Sequence, residues 1–245
     1  MKKRIFVLAL AAVLLLSLAA CGAKQGAGSD GSWKPTKPVT VICPYGAGGG
    51  QDVAARLFAQ YAEKYAGVKF VVDNKTGGSG TIGNTAIATA APDGYTLGMF
   101  HNLSLYDQYL VDGVTYTEDS FIQLAIFCAD STVIVANKGL GVSSIDELVA
   151  LAKTKPGEIT WGGPEFSSQT YPRMNVENAT GASDEIVKFY DDVFTQVMND
   201  ADFQKELAES GFNFLNIAGH EAATKYMQDD FAANKDNIMA AANAQ

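Results

Sequence analysis

Two histidines and three cysteines are all that this chain of 245 residues offers a transition metal, and they form no Cys/His cluster. That argues against a zinc site. Positive charge is also scarce: 18 Lys and Arg stand against 27 Asp and Glu, a formal charge of −9. A nucleic-acid partner needs a basic face, so none is expected. An acidic total does not exclude a small anionic ligand, because local dipoles can outweigh net charge inside a cleft. No serine sits in a nucleophile-elbow sequence, and no paired-acid or metal motif is present. An enzyme therefore has no anchor in this chain, and no cofactor is expected. Beyond the first twenty residues, no apolar run is long enough to span a bilayer.

The first residues do carry a signal. Lys2, Lys3 and Arg4 form a positive region, and Ile5 to Leu16 is an almost unbroken apolar run of signal-peptide length. Leu18-Ala19-Ala20-Cys21 follows, the small-residue pattern of a lipobox. Cleavage before Cys21 and diacylglyceryl transfer to its thiol are expected; the plainer alternative is a secretory signal with an incidental cysteine. Several acyl chains hold a protein at a membrane far better than one. Removing the three positive residues from −9 leaves −12 on the mature chain. Residues 21–32 are rich in Gly, Ala and Ser and read as a flexible tether. The location expected is extracytoplasmic, anchored by lipid. Cys43 and Cys128 lie in apolar, strand-like runs. Outside the cytoplasm a disulfide is allowed, but buried free thiols are the preferred reading.

From Trp33 onward, strand, loop and helix alternate. Residues 38–44, 68–72 and 94–100 read as strands, and Asp52 to Tyr65 shows helical spacing. This order predicts an α/β domain with a largely parallel sheet. Phe121 to Cys128, Thr132 to Ala136 and Ile159 to Trp161 can add strands. Ser143 or Ser144 caps a helix with Glu147 in capping-box position, and helices are expected near 183–199, 203–210 and 221–233.

Two glycine loops follow the first two strands. Gly46-Ala47-Gly48-Gly49-Gly50-Gln51-Asp52 lies between strand and helix, where free amides and the helix dipole suit an anion. It lacks the Gly-Lys-Ser/Thr ending of a P-loop. The alternative is a tight turn with no ligand. Gly78-Ser79-Gly80-Thr81-Ile82-Gly83 is a literal G-x-G-x-x-G, but the next strand ends Met99-Phe100-His101-Asn102 without the acid a dinucleotide site needs. Two anion-ready loops instead suggest a small polar ligand gripped by backbone amides. His101 follows the third strand and could face the same cleft, or be an ordinary loop histidine. Asp52 could act as a base, or cap the helix while holding water or a ligand hydroxyl.

The motifs together resemble a known family. Trp33-Lys34-Pro35-Thr36-Lys37-Pro38-Val39, Pro44 to Arg56, Val72 to Gly83, and Ala91-Pro92-Asp93-Gly94-Tyr95-Thr96-Leu97 are similar to four ordered motifs of tripartite tricarboxylate transporter substrate-binding proteins, the Bug family. The resemblance implies a periplasmic-binding-protein-like fold of type II, with two lobes that close on a small carboxylate. Membrane permease subunits are the implied partners. The implied ligand contacts are Tyr45, Gly46, Ala47, Gly48, Gly49 and Asp52 in the first loop and Gly78, Ser79, Gly80 and Thr81 in the second. His101 joins them, as do Ser167 and Ser168 in a loop of the second lobe; Glu165 departs from that loop's usual pattern.

A larger departure follows Gly181. Ser183-Asp184 runs straight into a helix resembling a late element of the family, so roughly 80 residues at typical element lengths are missing. The expected partition is a first lobe over 33–138, a reduced second lobe over 139–183, and C-terminal helices over 184–245 packing across the lobes. The function expected is solute capture. The alternative is a remnant or interaction module that no longer binds solute.

Overall fold

The computed structural model describes residues 32–106, 112–129, 136–160 and 173–242. The chain divides into two units, 1–33 and 34–245, and every element below belongs to the second. Strand β1 (Val39–Cys43) leads through the first glycine loop into helix α1 (Gly50–Ala66), then β2 (Phe70–Asn74). The second glycine loop forms a 3₁₀ turn at Gly78–Gly80 and opens α2 (Thr81–Ala88), which returns to β3 (Thr96–His101). β4 (Phe121–Ala129), α3 (Ile145–Thr154), β5 (Arg173–Ala179), α4 (Asp184–Met198), α5 (Ala201–Glu209), β6 (Asn213–Ala218) and α6 (His220–Ala242) complete the order.

Among the described residues six strands join one sheet, in the order β2-β1-β3-β5-β4-β6. β1 pairs in parallel with β2 and with β3, whereas β5 is antiparallel to β3 and β4, and β6 is antiparallel to β4. The expected largely parallel sheet is thus mixed, because two strands with weak sequence signals enter it in reverse. β5 alternates Met174 and Val176 with Asn175 and Glu177, and asparagine is a poor strand former. β6 carries Asn213 and Asn216 between Gly211 and Gly219. β5 lies between β3 and β4 in this sheet. Ile159 and Thr160 are not in a strand, and residues 130–135 lie outside the described residues.

Helices cover both faces of the sheet, since strand side chains alternate between them. α1, α4 and α5 pack on one face. There Phe58 of α1 meets Phe127, Phe194 and Phe203 with ring centroids 4.7, 4.9 and 5.9 Å away. α2 and α6 pack on the other, over Ile42, Ile87, Phe100, Tyr116, Phe121, Ile126 and Met227. Phe121 and Ile126 are five apart yet share a face, which a register irregularity between Gln123 and Ala125 permits. Cys43 and Cys128 are buried thiols, not joined in a disulfide. α3 starts as expected: Ser144 Oγ accepts from the Glu147 amide at 3.2 Å, and the Glu147 carboxylate accepts from the Ser143 amide at 2.7 Å. Its apolar residues Ile145 and Val149 remain exposed.

Asp200 ties two helices of the first face together. Its Oδ1 caps α5 by accepting from the amides of Asp202 and Phe203 at 2.9 and 3.3 Å. Its Oδ2 accepts from Lys64 Nζ and Tyr65 Oη of α1, both at 2.7 Å. The Lys64 and Tyr65 bonds hold its carboxyl down at about 2. A carboxyl depressed in the folded state stabilises above its unfolded pKa, and that contribution is lost as pH falls through the folded value. Asp200→Ala should therefore cost about 1–2 kcal/mol near neutrality. The gap to the parent should close between about pH 4 and pH 2. Chemical denaturation at several pH values checks this, and a gap that stays constant down to pH 2 would refute it.

Candidate functional site

The C-terminal ends of β1 and β3 and the N-terminus of α1 meet around a cavity of about 390 Å³, lined by Tyr45, Gly46, Ala47, Gly49, Gly50, Gln51 and His101. The helix start explains its chemistry. The first helical bond of α1 runs from the Val53 amide to the Gly49 carbonyl at 3.0 Å. The amides of Gly50, Gln51 and Asp52 precede it and have no acceptor within the helix, leaving donors and partial positive charge at this end. Gly48 and Gly49, both expected contacts, spend their amides inside the loop. Gly48 donates to Asp52 Oδ2 at 2.9 Å and Gly49 to the Gly46 carbonyl at 3.2 Å.

Asp52 lies beneath the loop rather than on the cavity wall and is 2% exposed. Besides Gly48, its Oδ2 accepts from Arg56 Nε at 3.0 Å, while Oδ1 accepts from Asn74 Nδ2 at 2.9 Å and pairs with Arg56 Nη2 at 2.8 Å. Asn74 Nδ2 also donates to the Tyr45 carbonyl at 2.9 Å, and Asn74 Oδ1 accepts from Arg56 Nη2 at 2.9 Å. Burial alone would raise the Asp52 carboxyl; bonds from Arg56, Gly48 and Asn74 together hold it below its usual value. It is thus an anionic brace for the loop, fixed at the N-terminal end of α1 where the helix dipole favours it.

The second glycine loop supports the first. Gly78, Ser79, Gly80 and Thr81 do not line the cavity. The Tyr45 hydroxyl donates to the Ser79 carbonyl at 3.2 Å, and a Cβ on Gly80 would lie 3.0 Å from that hydroxyl oxygen. At Gly83 a Cβ would come within 2.8 Å of Pro44 Cα and 2.7 Å of the Lys75 carbonyl oxygen. Only glycine lets α2 approach the end of β1 that closely. Thr81 turns its hydroxyl onto the Gly78 carbonyl at 2.8 Å.

His101 is a cavity residue, and the structure stacks it against Tyr45 with ring centroids 5.1 Å apart and planes 29° from parallel. It is 7% exposed, and burial pushes its imidazole down to about 4, so it is neutral at pH 7. Sequence reasoning missed three residues here. Arg56 had a signal, its i, i+4 spacing from Asp52. Asn74 and Gln51 had none, because their partners are 22 and 48 residues away. Ser167, Ser168 and the expected lipid site Cys21 lie outside the described residues. Two further cavities, of about 330 Å³ beside Ser144 and Leu148 and about 480 Å³ beside Gln123 and His220, touch neither glycine loop. Among the described residues, no group of three or more His, Cys, Asp or Glu could hold a metal, and no helix is long and apolar enough to cross a membrane.

A mixed sheet with a cavity at its strand ends is the architecture of periplasmic solute-binding proteins. The chain superposes on the periplasmic binding protein BugD with a TM-score of 0.69 at 17% identity, covering 85% of this chain and 98% of that one. It superposes on MatC of Rhodopseudomonas palustris, solved with bound malate, with a TM-score of 0.68 at 16% identity over 83% and 99% of the two chains. Rpa4515 of R. palustris, solved with adipate, gives 0.68 at 17% identity over 85% and 98%. Residues 54–178 match the tripartite tricarboxylate transporter family receptor, and the chain belongs to that family. This is a family of solute-binding receptors, not of enzymes. Protein BugT of Bordetella pertussis is 31% identical over 140 residues, which cover 56% of this chain and 43% of BugT. A UPF0065 protein of Agrobacterium vitis is 33% identical over 129 residues, 52% of this chain and 37% of that one. The chain thus aligns with less than half the length of these curated relatives.

Proposed function

We propose that this chain is an extracytoplasmic receptor that captures a small carboxylate for a tripartite tricarboxylate-type transporter. The observation that carries the reading is that Gly50 and Gln51, whose helix-start amides have no acceptor within the helix, line a cavity of about 390 Å³. That volume falls at the small end of ligand pockets, and an N-terminal helix end favours an anion there. The malate and adipate complexes of two fold relatives support the same ligand class. In this reading Cys21 carries a diacylglyceryl anchor, the tether over 21–32 lets the receptor reach its permease subunits, and Ser167 and Ser168 contribute further ligand contacts. The second glycine loop acts indirectly, holding Tyr45 through Ser79.

Thermal unfolding of the chain from Gly22 onward, with mono-, di- and tricarboxylates, tests the proposal. A ligand at 100 times its dissociation constant adds about 2.7 kcal/mol of stability. At roughly 2–4 °C per kcal/mol for a chain of this size, the midpoint should rise by about 5–11 °C with the correct acid. A cooperative transition that no acid moves would overturn the receptor reading in favour of a remnant that no longer binds solute.

A further inference from the structure

Among the described residues, only four buried side-chain polar atoms lack a hydrogen-bond partner: Gln51 Oε1, Asn84 Oδ1, and both ring nitrogens of His101. Three of the four belong to two residues on the wall of the cavity at the first glycine loop. Buried polar atoms are nearly always satisfied, so such a cluster marks a place where something binds.

The chemistry of the missing partner follows from Gln51. Its Nε2 donates to the Met99 carbonyl of β3 at 2.9 Å. That bond fixes which end of the amide is which, since a carbonyl can only accept. Oε1 is left as a pure acceptor, on a side chain only 4% exposed. An ionised carboxylate has no proton to give it, and two sets of lone pairs facing each other would repel. A ligand that satisfies Gln51 must bring a donor close to its carboxylate. A hydroxyl or an ammonium could supply one. Among the described residues the cavity wall contains no acidic side chain, and the carboxylate of nearby Asp52 is occupied by Gly48, Arg56 and Asn74. An ammonium would be buried against these residues without a counter-ion, which is costly. Neutral imidazole has one donor and one acceptor nitrogen. His101 can therefore give its N–H to a ligand oxygen, while the single hydroxyl proton goes to Gln51 Oε1.

We propose that Gln51 and His101 form a specificity pair that reads a hydroxyl on the carbon bearing the ligand's carboxylate, so that the receptor selects 2-hydroxy acids. The proposal rests on the carboxylate-receptor reading. Within it, the helix-start amides hold the carboxylate, Gln51 Oε1 accepts from the hydroxyl, and Tyr45 fixes the imidazole plane by stacking.

Calorimetric titration of the chain from Gly22 with matched probes tests it: lactate against propionate, malate against succinate, citrate against tricarballylate, with alanine and aspartate as amine counterparts. For whichever skeleton fits, the hydroxy acid should bind at least tenfold more tightly than its partner without the hydroxyl. Gln51→Leu should bring the two affinities together. The comparison on the parent chain needs no variant, so it stands even if Gln51→Leu fails to fold. Equal affinities within a binding pair overturn the hydroxyl inference and leave the receptor intact. Tightest binding by the amine replaces the hydroxyl with an ammonium and overturns it too. No heat from any acid sinks both readings.

Discussion

Replacing Phe58 with alanine should lower the unfolding free energy by about 3–5 kcal/mol, the range for deleting a buried ring. Phe58 is 2% exposed and its ring touches those of Phe127 on β4, Phe194 on α4 and Phe203 on α5. It is the residue through which α1 meets a strand and two C-terminal helices at once. Those partners are themselves buried and close-packed, so they cannot collapse into the space without moving their backbones. The midpoint of thermal unfolding should fall by roughly 6–20 °C. The same substitution loosens the helix whose first turn forms the ligand cavity, so carboxylate affinity should weaken as well. A loss below about 1 kcal/mol would show that the aromatic cluster repacks freely and does not fix α1.

Asp52→Ala should produce the second largest effect, and its signature differs. The substitution leaves the Gly48 amide and one Asn74 proton without their acceptor and leaves the Arg56 guanidinium only its bond to Asn74 Oδ1. Unmade bonds of this kind cost about 1–3 kcal/mol each when buried. Arg56 is half exposed and rehydrates, so a total of about 2–4 kcal/mol is expected. Because the Gly48 bond sets the loop, carboxylate binding should fall more than tenfold, out of proportion to the stability lost. Asp52→Asn keeps the shape but presents an NH₂ to a ring of donors, and should do little better than alanine. Recovery of full binding in Asp52→Asn would mean the carboxylate's charge is irrelevant to the loop. Denaturant titration beside calorimetry separates the two losses.

These two residues show why the parts of the site differ in how readable they are. Asp52 and Arg56 are four apart on one helix, and the loop before them is marked by four glycines, so the brace and its position are local facts. Asn74, the third member of the brace, comes from the end of the neighbouring strand, and only the parallel register of β1 with β2, which sets Cys43 beside Asn74, brings it there. Gln51 sits between a motif glycine and a motif acid and has no sequence signal of its own. Its role depends on a bond to Met99, and so on β3 lying next to β1 in the sheet.

The sequence by itself determined the first three strands, the two glycine turns, the helix cap at Ser144, the helix start at Ser183, and the family. Each depends on short-range spacing: β-branched runs, backbone turns that need glycine, and side chains that cap within three residues. Only the tertiary structure decided that β5 and β6 enter the sheet in reverse, that the second glycine loop supports the first, and that Gln51 rather than Asp52 faces the cavity. Asparagines weaken the strand signal of β5 and β6, and pairing with long-range neighbours overrides that weakness. Which polar side chain faces a cavity depends on the partners that meet it, and those partners come from strands and helices distant in sequence.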